Sequence, residues 1–487
     1  MTINRIDLNK IPETDQYIKW IEGYTNLPHR RTGSEEGLKS AEYTKNVFEE
    51  LGLQNVRIET SDAFMYENDE YRLNVEGEEI NCFPVNGTFR NEEFGTFTVG
   101  DAGLNKDIVY LGCGDEEDFA NVDVTGKIVV CDCPWPDSYE EDYVAWCKGN
   151  VFRYDPDAAQ RVLKGRKKDS YSPLKWPYNY CRAQMAGAAG FVGILTDYIA
   201  DGIFYNEDYT EEMVGFGVDN PSLAALWVGS REGKKLRGLI ASENVKADFV
   251  LTKTYSPCTA KNIVGVLPGK SKETILVHSH HDAVFTGAVQ DATGMAEVIG
   301  LASYFAQIPY EERELTLMFA GLDGHYTDYE GQRDFIERRK ADGTEIILDA
   351  AIEHIGKEIV LGDDNDPVET GEAELRMCYV SDKGDLWQIT KDALVRNDIK
   401  RTIMMAAHVN ESGTEGEYKF EQDEVISDAF YNAQAGIPVV SILSPPLYLF
   451  HPMDTIDMVA TEWLKPIGVM YTEIIAEVMK TGKSFKK

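Results

Sequence analysis

The chain has 487 residues, 43% of them hydrophobic and 11% aromatic, which supports substantial cores and is too long for one ordinary domain. Its 83 acidic side chains against 48 basic ones give a formal charge of -35. That charge repels polyanions, so nucleic acid and anionic membranes are excluded as partners, while an amine-bearing substrate is attracted. The N-terminus lacks a basic segment followed by an apolar one, and no apolar run approaches the ~20 residues of a membrane span. Eight scattered cysteines without a CxxC pair read as free thiols in a cytoplasmic protein.

In chain order, Thr14 and Asp15 are cap candidates for a first helix, and Gly33, Ser34 and Glu35 open a second that ends near Gly52. A strand at Val56 to Glu59 follows. Tyr71 to Phe94 then reads as short strands turning at Glu76-Gly77 and Asn86-Gly87. From about Thr98 to Thr252 short β runs alternate with Gly and small-residue helical pieces. Within them lies a loop at about 134–180, rich in Trp and Tyr with a basic RVLKGRKK run, which reads equally as a lid over a site or as a dimer contact. A buried strand at Ile275 to Val277 comes next, then a helix from Met295 to Gln307 with Val298, Leu301, Ala302 and Phe305 on its apolar face. LTLMFAGL, EIILDAAIEHIG and IPVVSILS are further strands, GQRDFIERRK is a helix, and Glu462 to Lys480 is the last helix. This alternation predicts an α/β fold, a sandwich around a mixed sheet.

Chemistry concentrates in the stretch after Val277. The chain has eight histidines, and His278, His280 and His281 fall within four positions, with Asp282 next and Asp291 nine further on. Alternation along a strand puts His278, His280 and Asp282 on one side and His281 on the other. Imidazoles and carboxylates meeting at a strand end suit a divalent transition metal, zinc first. Asp282 is either a ligand or the carboxylate that fixes the tautomer of His280. His29 has no ligand-like neighbour and reads as structural.

A strand ending in His280-x-Asp282, then Gly287-Ala288-x-x-Asp291-x-x-Gly294 opening an apolar helix, resembles the M28 family of zinc aminopeptidases. The resemblance implies a three-layer α/β sandwich with a mixed sheet, and PHRRTGSEEGLKSAEYTKNVFEELG is similar to the opening of such domains. Val124-Thr125-Gly126-Lys127-Ile128 and Gly187-Ala188-Ala189-Gly190 resemble the protease-associated (PA) domain that some members carry as a mainly β insert. The expected organisation is therefore a catalytic domain in two pieces, 1–97 and 256–487, around an insert at 98–255. By the same resemblance His280 is a metal ligand, Asp291 bridges two metals and precedes a cis peptide at Asp291-Ala292, and His451 of HPMDT is a ligand of the second metal. Glu353 falls on a ligand position of the first metal.

The sequence departs from the family at its Glu-Glu pair, where the first Glu is the general base and the second a ligand. Alignment through Asp323, Gly324, Gly331 and Phe335 puts His325 and Tyr326 there. Either His325 takes over as a ligand, leaving His354, Glu353 or Glu330 as base, or His325 is itself the base, which an imidazole pKa near ~6.5 permits. The resemblance implies a hydrolase that cleaves a peptide or small amide by metal-activated water, with one or two zinc ions, and a homodimer is compatible with it. Glu415 and Glu417 are candidates for meeting a substrate amine. The alternatives are a non-catalytic binding protein on the same scaffold, or a mononuclear-zinc transferase or cyclase.

Overall fold

The computed structural model describes residues 6–481, apart from 91–92, 101–102, 139–143, 145–146, 148, 162–164, 169–170, 208, 243 and 408–424. The N-terminal helices are α1 (Thr14–Thr25) and α2 (Glu35–Glu50), the second capped by Ser34, whose Oγ accepts the Gly37 N–H at 3.0 Å. Then follow β1 (Gln54–Val75), β2 (Leu104–Tyr110), β3 (Ile128–Cys133), β4 (Val151–Tyr154), α3 (Tyr178–Met185), β5 (Gly190–Leu195), β6 (Ala225–Gly229) and α4 (Ser230–Leu239). The remainder comprises β7 (Lys246–Leu267), β8 (Thr274–His280), α5 (Thr293–Ala306), β9 (Thr316–Leu322), α6 (Glu330–Asp342), β10 (Ile346–Ile352), β11 (Arg376–Val380), α7 (Leu386–Arg396), β12 (Thr402–Ala406), β13 (Val439–Leu443) and α8 (Thr461–Thr481).

One sheet runs β7-β9-β8-β10-β13-β11-β12-β4, with β9, β8, β10 and β13 mutually parallel and antiparallel pairings at β7/β9, β13/β11 and β12/β4. The fold is thus α/β around a large mixed sheet, as expected. A second, mostly parallel group, β2-β3-β5-β6, joins the other half of β7. The link is a ribbon of β1 and β7, each 22 residues long, antiparallel from Gln54↔Val266 to Val75↔Ala247. At ~3.3 Å per residue such a strand spans about 70 Å. Sequence reading finds only its ends, because the middle is two-sided and polar and lacks a period-2 pattern. At its far end β1 turns back where expected, at Glu76 and Gly77, both with positive φ (51° and 83°), to pair with the short strand Glu78–Ile80.

The strand β8 shows the layering that positions the site. Ile275 and Val277 pack into the large core with α1, α5 and α8, whereas Leu276 belongs to a smaller core with Met318, Phe335 and Ile336. His278 and His280 share the Leu276 face by alternation, so the histidines lie toward α6 and not toward α5. The Trp- and Tyr-rich loop docks in part on its own chain. Its β4 extends the main sheet beside β12, Arg166 and Leu361 exchange backbone hydrogen bonds, and Lys167 pairs with the buried Glu374. All eight cysteines are free. Among the described residues no helix is long and apolar enough to cross a membrane.

Candidate metal centre

The parallel strands β8, β9 and β10 end side by side, and the residues just past their C-termini converge, which is where open α/β sheets place ligands. His280 ends β8. Its Nδ1 lies 3.0 Å from the Asp282 carbonyl oxygen and 3.2 Å from Asp282 Oδ1, which fixes the proton there and leaves Nε2 as a bare lone pair. That Nε2 is buried and has no hydrogen-bond partner among the described residues. Asp282 Oδ2 also accepts the His325 N–H at 3.0 Å and the Thr32 hydroxyl at 3.2 Å, so one carboxylate ties the two histidine-bearing segments together.

Asp291 is held by Ser279 Oγ, by the Gly294 N–H at 3.0 Å and by the His354 N–H at 3.0 Å. The loop before it is stitched by the buried Arg30, which donates to the carbonyls of His281, Thr286 and Gly287, and by Asp454, which accepts the N–H groups of Val289 and Gln290 at 2.7 and 2.9 Å. Burial pushes the Asp454 carboxyl up to about 7, although those two amides act against the rise. The cis peptide lies at Gln290-Asp291, one bond earlier than the family resemblance implies.

Gly294 explains the second half of the motif. A Cβ there would come within 2.2 Å of the Ile352 carbonyl oxygen, 2.4 Å of Ser279 Oγ and 2.5 Å of Asp291 Oδ2. Replacing Gly294 by alanine is therefore expected to cost about 1–3 kcal/mol through overpacking and to displace Asp291. Denaturant unfolding of the variant beside the wild type measures the first effect.

His325 stands in the loop between β9 and α6, its ring stacked on that of His280 with centroids 4.2 Å apart and planes 17° from parallel. Its Nδ1 is 3.0 Å from Asp428 Oδ1 and its Nε2 is 3.4 Å from Glu207 Oε1. Burial opposes protonation of this imidazole, but Asp428 and Glu207 outweigh it and raise the pKa well above the usual histidine value. Asp428 is depressed by the His280 and His325 rings against the upward push of burial, and its buried Oδ2 has no partner among the described residues.

His354, at positive φ (52°), follows Glu353 at the end of β10. Its Nδ1 is 3.1 Å from the Ser444 carbonyl oxygen, so the proton sits on Nδ1, and its buried Nε2 has no partner. Burial, then the His280 and His325 rings, hold its pKa well below the ordinary value, which keeps it neutral. The ligand atoms of His280, His325 and Asp428 lie within 4.8 Å of one another, and so do those of His280, Asp291 and His354.

The other expected site residues lie outside the two ligand groups. Glu353 is in neither group; its Oε1 accepts the Asp428 N–H at 3.0 Å, and burial, reinforced by Asp428 and Asp291, raises its pKa well above the carboxylate range. His451 also stands apart, because its Nε2 faces Asp201 at 2.9 Å and its Nδ1 accepts the Met453 N–H at 3.0 Å. The buried Tyr326 packs edge-on against His280 and His325. Glu330 starts α6 with Asp62, Ser61 and Asp334 about it, its carboxyl pushed by burial up to about 7. Glu415 and Glu417 lie outside the described residues.

Two contributions escaped sequence reading. Asp428 belongs to a stretch held down by Asn432, whose Nδ2 donates to Asp349 at 2.9 Å, while Asp349 pairs with the buried His278 at 2.9 Å. His278 thus anchors the segment that brings Asp428. Glu207 comes from the loop between β5 and β6, more than a hundred positions from His325 in sequence. Neither carboxylate has a local pattern that marks it.

Residues 262–473 match the sequence model of peptidase family M28. No curated protein sequence matches the chain. Among solved structures, the chain is similar to a zinc aminopeptidase from Bacillus subtilis, at 14% identity and a TM-score of 0.65 over 98% of each chain. An M28 peptidase precursor from Shewanella amazonensis aligns at 16% identity and a TM-score of 0.66, over 96% of this chain and 94% of that one. An aminopeptidase from Aneurinibacillus sp. strain AM-1 aligns at 17% identity and a TM-score of 0.59, over 97% and 96%. The chain thus carries a peptidase family M28 domain at residues 262–473, and the five side chains that form the two ligand groups all lie in it.

Proposed function

We propose that this protein is a zinc-dependent, aminopeptidase-like hydrolase of peptide or small amide bonds, with His280, His325 and Asp428 holding one ion and His354 acting as the base. The observation that carries this reading is a set of three buried atoms without a hydrogen-bond partner among the described residues, His280 Nε2 and His354 Nε2 at the ends of adjacent strands and Asp428 Oδ2 from the segment before β13. Buried polar atoms are normally paired, and lone pairs of this kind fit a cation and a proton acceptor. Asp291, carried over from the family as a bridging ligand, already accepts three hydrogens, whereas Asp428 Oδ2 accepts none. A zinc ion bound there supplies a Lewis acid that polarises the scissile carbonyl and lowers the pKa of water.

The chain's own residues do the rest. Asp282 holds the His280 tautomer and the His325 backbone. Asp291 and the Ser444 carbonyl fix His354 from its N–H and its Nδ1–H, so that Nε2 can take a proton from the attacking water and pass it to the leaving nitrogen. The acidic overall charge favours substrates with a free amine, and Glu415 and Glu417 remain candidates for meeting it. Residues 98–255 are proposed as a PA-like insert, its parallel strands β2, β3, β5 and β6 being the group outside the main sheet.

Because an imidazole nitrogen has one lone pair, His280 serves one ion, and one zinc per chain is expected. Metal analysis of purified protein together with turnover of aminoacyl anilides and small amides tests the reading. Zinc at one per chain with chelator-sensitive cleavage supports it. Zinc binding without cleavage across the panel would favour a non-catalytic binding protein, and absence of zinc would remove the metal centre altogether.

A further inference from the structure

We propose that Glu207, carried by the loop between β5 and β6, is a positioning residue that completes the metal centre by fixing the tautomer of His325. The inference rests on the reading of His325 as a ligand. Asp428 Oδ1 lies 3.0 Å from His325 Nδ1, and the two residues belong to the same ligand group. An ion held through His325 Nδ1 would need that nitrogen's lone pair, which would leave the neutral ring's one proton on Nε2. The carboxylate facing Nε2 is Glu207, with Oε1 at 3.4 Å.

The arrangement repeats that of the neighbouring histidines. His280 and His354 each have one nitrogen anchored, on Asp282 and on the Ser444 carbonyl, and the other bare. Outer partners of this kind orient a ligand imidazole and raise its basicity. For His325 the partner comes from a separate part of the chain, so the two groups of strands would have to be docked for the site to be complete.

Glu207 is held where it can do this. The adjacent Asn206 is buried, its Oδ1 accepting from the Asn86 N–H at 2.9 Å and from Trp227 Nε1 at 3.0 Å, and its Nδ2 donating to the carbonyls of Asn86 and Glu207. Before Asn206, Tyr205 donates its N–H to the Phe450 carbonyl at 3.0 Å and sets its ring edge-on to Tyr326. Asp201, six positions earlier, meets His451. The loop is thus pinned up to Glu207 from its N-terminal side, and the Glu207 side chain, 26% exposed, lies against His325.

The test measures zinc affinity by competition with a chromogenic chelator for wild type, Glu207→Ala and Glu207→Gln, with the cobalt(II)-substituted absorption spectrum read in parallel. The Gln side-chain oxygen still accepts from Nε2–H, whereas Ala offers nothing. Loss of an outer partner typically costs 10–100-fold, so Ala is expected to weaken zinc by about that factor and to change the cobalt bands, with Gln within about threefold of wild type. The Glu207 backbone contacts survive both substitutions, so the metal-free variants should unfold near the wild-type temperature. Wild-type affinity and spectrum in the Ala variant would overturn the proposal, as would Gln losing zinc as badly as Ala. If the wild type itself binds no zinc, the metal-centre reading fails and this inference falls with it.

Discussion

Replacing His354 by alanine is expected to leave zinc content at the wild-type level and to lower kcat by about 10²–10⁴-fold, the usual contribution of a positioned general base. The proposed role rests on its two ring nitrogens being in different states. Nδ1 is spent on the Ser444 carbonyl, while Nε2 is buried, bare and beside the stacked His280 and His325 rings. Its low pKa, set by burial and then by those two rings, keeps the lone pair available at neutral pH. Glutamine should not rescue, since an amide cannot cycle a proton. The decisive outcome is the metal count. If the alanine variant loses zinc together with activity, His354 is a ligand beside Asp291, and the base must be sought at His325.

The legible part of this site is the part encoded locally. His280 and Asp282 are two positions apart on a strand end, and the hydrogen bond between them follows from that spacing. The Gly287 and Gly294 positions around Asp291 were equally readable, because the structure leaves no room for a Cβ at either. What could not be read depends on distant contacts. His451 sits in a phrase that matches the family, yet Asp201, 250 positions away, takes its Nε2. Glu353 lies on a ligand position but is turned to the Asp428 amide, a partner that only the tertiary fold supplies. Asp428 is one acid among 83, and nothing local separates it from the solvated ones. The fold shows the same division. Most of the apolar strands around the site are legible, whereas the β1/β7 ribbon and the run β11, α7 and β12 are not, the ribbon for its polar middle.

Changing Asp428 to asparagine is the complementary experiment, because it removes charge from the centre while keeping its shape. The Asp428 N–H to Glu353 hydrogen bond is a backbone contact and survives, so the local fold should hold. Zinc affinity should fall by about 10²-fold or more, since a neutral amide is a poor ligand and metal binding selects the deprotonated form. A second effect appears without metal. Asp428 is depressed and His325 is raised in the folded chain, and each shift is opposed by burial and won by the partner charges. The depressed carboxylate stabilises the fold above its unfolded pKa of about 4 and loses that contribution as pH falls. The raised imidazole stabilises it below its unfolded pKa of about 6.5 and loses that as pH rises. The pair therefore supports the metal-free protein most between those two values. Unfolding midpoints of the chelated wild type should show that window, and the asparagine variant should lose it. A variant that keeps both zinc and the pH window would place Asp428 outside the centre and return the ligand set to His280, Asp291 and His354.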